Sequence, residues 1–169
     1  MNDAHLHLVV NHFPIIGTIL GLGILIAGMI LKNNSVKNTA YVLFIVAAVF
    51  AAFSMGTGDG AEDAVKNLPG VTKQFIHEHE EMAEKLAIIL YVLGVISIGA
   101  LFLSFKNHSK AKLVSYAALV VGVLAVFLAK EVGTTGGEVR HTEIRSDATQ
   151  AVGTEQNAAG VEHGDEDKD

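Results

Sequence analysis

Long apolar runs alternate with short polar connections along this chain. Residues 13–31, about 38–58, 86–105 and 113–129 carry no charged side chain. Each run is on the order of 17–25 residues, the length at which a helix crosses a bilayer. A single Lys or Asp at the middle of such a helix costs about 2.5–3.5 kcal/mol on insertion, and every run avoids it. The runs are apolar on all sides, without the polar face that a helix of a soluble bundle would present to water. The pattern therefore predicts an all-α, integral membrane four-helix bundle. With their polar ends the spans fall at about 13–31, 38–58, 78–105 and 112–132, within one domain of residues 1–145.

The connections refine this picture. Residues 60–68 read as a short outer amphipathic helix, closed by Pro69-Gly70. Thr72 is placed to cap a helix that runs on into the third span. Pro14 lacks an amide hydrogen and disfavours helical geometry at Phe13, which predicts a break near His12. Residues 146–169 are polar, Gly/Ala-rich and acidic, too poor in apolar area to offset ordering, and read as a disordered tail.

Orientation follows from the short loops. Lys32 and Lys37 follow the first span, and Lys106, Lys110 and Lys112 follow the third, with no acidic residue among them. The positive-inside rule puts these lysines in the cytoplasm. Both termini then lie outside, in the periplasm if the membrane is a bacterial inner membrane. The first span carries Asp3 where a signal peptide has basic residues, and it is expected to stay as a span.

Composition removes several kinds of chemistry. Half of the 169 residues are hydrophobic and none is cysteine, which excludes disulfides, thiolate-held clusters and covalently attached haem. A formal net charge of -6, with no basic stripe, argues against nucleic acid. No phosphate loop or serine elbow occurs. The order of runs shows no internal repeat and no mid-membrane charge, which argues against a transporter.

The histidines carry what chemistry remains. On the predicted topology His5, His7 and His12 precede or open the first span, His77 and His79 lead into the third, and His141 follows the fourth. All lie outside, with His163 in the tail; His108 alone sits among the lysines. Phe75, Met82, Ala83 and Leu86 share a helical stripe with His79, which points it into the bundle. His77 is about 200° away, on the polar face with Glu81 and Glu84. Helical phase does not choose between His5 and His7. Gly17 and Gly21 form a GxxxG spacing, expected to serve close helix packing.

These motifs resemble an uncharacterised family of small bacterial four-span membrane proteins. The resemblance rests on His7-LVVN-HFPII, TGDGAED, the LPGV turn, His79-Glu80 and GGEVRH, and covers nearly all of residues 5–145. The family pattern has proline at position 8, where this chain has Leu8, and it ends differently from the HTEIR found here. The resemblance implies the four-span fold and singles out His7, His12, His79 and His141. It implies no activity.

Inward imidazoles on facing helices are the usual cradle for b-type haem. The expected cofactor is haem b, held among His7, His12, His79 and His141, with Arg140 and Arg145 pairing its propionates. The expected role is electron transfer with quinol or a periplasmic redox protein. The alternative is a non-haem zinc, copper or iron ion, using those histidines with Glu62, Glu80 and Glu138. A third reading is a cofactor-free subunit of a membrane complex or homo-oligomer. No di-metal signature is present. The expectation is an electron-transfer or binding protein in preference to a stand-alone enzyme.

Overall fold

A computed structural model describes residues 2–145. The acidic tail and His163 lie outside them. Among the described residues the structure is helical: α1 (Asp3–Val10), α2 (His12–Ile30), α3 (Asn34–Val65), α4 (Lys73–Phe105), α5 (Ala111–Arg140) and a 3-10 turn at Thr142–Ile144. Helices α1 and α2 together, α3, α4 and α5 give four rods long and apolar enough to cross a membrane. The 33 residues of α4 reach about 50 Å, well past a hydrocarbon core of about 30 Å. The rod ends therefore project beyond the apolar layer.

Side-chain size is distributed as a lipid-facing bundle requires. Val95, Val120 and Phe127 point outward, about 70% exposed. The inside is lined largely by Ala, Gly, Ser and Thr around a few large side chains, Tyr41, Phe44, Leu25, Leu90 and Leu93. Small residues let the helices approach, since lipid tails offer no hydrophobic driving force between apolar rods. The Gly17–Gly21 spacing does serve packing. A methyl group on Gly21 would lie 2.6 Å from the Phe44 ring, and one on Gly17 would lie 3.3 Å from Ala47 Cβ.

Local rules explain the ends. The Asn2 side chain accepts from the His5 amide and starts α1. Near His12 the helical assignment lapses at Asn11, but Asn11 keeps helical dihedrals (φ −66°, ψ −21°). Pro14 is the third residue of α2, within its first turn, where proline is tolerated. Thr72 caps α4 through the Phe75 amide, as its position predicts. At the lysine end both α2 and α4 finish in a left-handed residue, Lys32 (φ 51°) and Asn107 (φ 49°). The following amides, Asn33 and His108, donate back to Gly28 and Leu103 carbonyls at 3.0 and 2.9 Å.

One expectation is corrected. The separate amphipathic helix at 60–68 does not form; α3 runs unbroken past Gly56, Gly58 and Gly60 to Val65. Continuing the helix keeps its amides bonded, and Asp3 of α1 packs directly over Gly60. The turn to α4 follows, with Gly70 at φ +79°.

In α2 the buried positions are Pro14, Thr18, Gly21, Leu25 and Gly28; in α4 Leu86, Leu90, Leu93, Ser97 and Ala100 share that spacing. Likewise Ala40, Phe44, Ala47 and Ala51 of α3 share the spacing of Ala118, Gly122, Ala125 and Ala129 of α5, the i, i+3/i+4 stripe of a helix buried on one side. The halves α1–α3 and α4–α5 are two helical hairpins running in the same sense. The Phe44 ring lies 3.5 Å from where a methyl on Gly122 would sit. One large and one absent side chain fill the space between the halves.

Candidate functional site at the histidine end

His7 stands as far before Pro14 in its hairpin as His79 stands before Leu86 in the other. Both point inward and are partly buried, His79 with the stripe that its sequence predicts. His7 Nδ1 lies 3.1 Å from the Ser54 carbonyl oxygen and 3.1 Å from Thr57 Oγ1. His79 Nδ1 lies 3.2 Å from Thr135 Oγ1, with the Val132 carbonyl near its ring. Each imidazole therefore meets a Thr on the second long helix of its own hairpin, and His7 also meets the carbonyl three residues before that Thr.

The donors can be assigned from this network. A carbonyl only accepts, so His7 Nδ1 carries the hydrogen. The Thr135 hydroxyl has acceptors in its own helix, the Glu131 carbonyl at 3.0 Å and the Val132 carbonyl at 3.3 Å; with its hydrogen on either, its oxygen accepts from His79 Nδ1. In the neutral form both rings then keep Nε2 as the unprotonated nitrogen, the usual ligating atom when Nδ1–H is held by a neighbour. The two imidazoles lie within electrostatic range of each other. Room for His79 comes from Gly136: a methyl there would stand 2.9 Å from the ring Cε1. One turn along from His7, the buried Asn11 Oδ1 has no hydrogen-bond partner.

The other expected residues separate from this pair. His12 is on the exposed side of its helix, as is His5. The α1–α2 rod continues through Asn11, and His7 occupies the inward stripe, so helical phase turns His12 out. His141 is also exposed and pairs with Glu143 at 2.9 Å. The Glu143 carboxyl lies below the ordinary glutamate range, held by its own amide and then by His141. His77 faces solvent beside Glu81, at 3.5 Å. Glu80 and Glu62 come within hydrogen-bonding reach of each other, near Asp59 and His77.

The arginines are not placed as free propionate partners. Arg140 is exposed at the end of α5. Arg145 donates to the carbonyls of Glu138 (2.8 Å), Gly70 (2.9 Å) and Val139 (3.2 Å) and lies 3.9 Å over the Phe75 ring. It braces the turn before α4 against the end of α5. Glu138 meets that brace through its backbone. Among the described residues no group of three or more His, Asp or Glu side chains is arranged to hold a metal ion. The expected set of His7, His12, His79 and His141 with Glu62, Glu80 and Glu138 is therefore not assembled.

Sequence reasoning overlooked Ser54, Thr57, Thr135 and Gly136. The signal for the last three was the pair TGDG (57–60) and TGGE (135–138) at the ends of α3 and α5. No family model, no curated protein and no solved structure matches the chain.

Proposed function

We propose that the protein binds b-type haem through His7 and His79 and acts as a membrane electron carrier. The observation that carries this reading is the pair itself. Two inward imidazoles from equivalent positions of two hairpins each have Nδ1 held and Nε2 left as a lone pair. A lone metal ion needs three or four protein donors, and this end offers two inward imidazoles within electrostatic range of each other. Haem supplies four ring nitrogens of its own and needs two axial ligands. The unpartnered Asn11 Oδ1 beside His7 also fits a site that receives a polar group.

When bound, haem supplies reversible one-electron exchange at its iron. The chain's part is to fix two imidazoles on rigid helix ends and to fill the bundle below them. Leu25, Phe44, Leu90 and Leu93 are fully buried there, which puts the site at the histidine end of the rods. With the lysine loops in the cytoplasm, this end faces the periplasm of a bacterial inner membrane. Quinol in the bilayer or a soluble carrier outside it is then the electron donor or acceptor.

The test is the absorption spectrum of detergent-purified protein produced with ample haem, oxidised and then reduced with dithionite. A Soret band with sharpened α and β bands on reduction is expected. His7→Ala and His79→Ala should each abolish it, while His12→Ala and His141→Ala keep it. A flat visible spectrum rejects haem. Elemental analysis then separates a zinc, copper or iron site from a cofactor-free subunit.

A further inference from the structure

The two hairpins share a device. Thr57 follows Ala51 at the same spacing as Thr135 follows Ala129, and each Thr meets the histidine of its own half at 3.1 and 3.2 Å. Each hydroxyl hydrogen is used within its own helix: Thr57 donates to the Phe53 carbonyl at 3.0 Å, and Thr135 donates to the Glu131 carbonyl at 3.0 Å. That back-bond is common for helical Thr and by itself has no functional meaning. Its consequence here is that both Thr oxygens are left as acceptors, aimed at a ring nitrogen.

We propose that Thr57 and Thr135 are positioning residues, which fix His7 and His79 in the Nδ1–H tautomer and so present both Nε2 atoms to one ligand. The use made of those atoms rests on the haem reading; the tautomer does not. Free histidine in water favours hydrogen on Nε2, so the structure demands the minor form at two places at once. The Ser54 carbonyl adds a second acceptor to His7 Nδ1, and the Val132 carbonyl lies near the His79 ring. Such outer partners hold a ligating histidine in tautomer and orientation and raise affinity about 10–100-fold.

The experiment uses full-length protein labelled with 15N-histidine, in lipid nanodiscs without added haem, at about pH 8, where imidazoles are neutral. Long-range proton–nitrogen spectra report which nitrogen of His7 and His79 carries hydrogen. Protonated Nδ1 and bare Nε2 are expected at both. Thr135→Val should shift His79 towards mixed tautomers and leave His7 unchanged; Thr57→Val, which leaves the Ser54 carbonyl on His7 Nδ1, should loosen the His7 ring with a smaller tautomer shift and leave His79 unchanged, and Thr→Ser should restore each. Haem titration of the same samples should then weaken roughly tenfold in either Val variant. Nε2–H at either histidine in the unmutated protein, or no response to both Val variants, overturns the proposal. Intact Nδ1–H tautomers in protein that takes up no haem would reject the haem reading and leave the positioning role standing.

Discussion

Gly133 and Gly136 lie one helical turn apart near the end of α5, and their replacement by Ala should have opposite effects. At Gly133 nothing lies within 4 Å of an added methyl. Ala there gains the difference in helix propensity, about 1 kcal/mol. At Gly136 the same methyl would stand 2.9, 3.3 and 3.6 Å from Cε1, Nδ1 and Nε2 of His79. The ring cannot move away without lengthening its 3.2 Å bond to Thr135. Losing that bond costs about 0.5–1.5 kcal/mol, and overpacking adds roughly 1–3 kcal/mol. Set against the same propensity gain, Gly136→Ala should be destabilising by about 1–3 kcal/mol. The two variants should thus differ by roughly 2–4 kcal/mol, which is several degrees in Tm for a chain of this size. Thermal unfolding in one detergent, followed by circular dichroism, makes the comparison with each variant controlling for the other. Equal stabilisation by both would show that the His79 ring does not pack on Gly136, and the assembled site would fall with it.

Other predictions concern the core and the exposed turn. Phe44→Ala empties the space between the hairpins and should cost about 3–5 kcal/mol, whereas Phe127→Ala, 67% exposed on the outer surface, should change denaturant unfolding little. Tyr41 donates to Ser115 Oγ at 2.7 Å. Ser115→Ala leaves a buried phenol without its acceptor and should cost about 1–3 kcal/mol, and Tyr41→Phe, which removes the donor, should cost less. Glu143, with its depressed folded value, contributes stability above the ordinary glutamate pKa, and this fades as pH falls through the lowered value. NMR titration should show the Glu143 carboxyl moving back towards the ordinary range in His141→Ala; an unchanged value would mean that its own amide alone sets it.

Much of the architecture was legible because it depends on short-range rules. A charge-free run of bilayer length is a statement about transfer free energy, and four of them give four rods whatever their neighbours. The Thr72 cap and the inward turn of His79 follow from one helix alone. Helix 60–68 misled because three glycines look like a break; whether glycine ends a helix depends on what packs over it, and here Asp3 does. The meeting of Phe44 with Gly122 was not legible, because membrane packing selects the spacing of small buried positions over residue identity.

The sequence by itself determined that the protein is helical and how many times it can cross a bilayer, and it singled out histidine as the candidate ligand type. It did not decide which histidines meet. Periodicity gives each helix a phase but no partner, and His7 and His12 both lie beside the first span. Only tertiary packing put His7 and His79 inward at one end of the bundle, left His12 and His141 exposed, and set a Thr from the second helix of the same hairpin behind each ring. Those contacts join residues about 50 positions apart in the chain, and no local pattern encodes such a meeting.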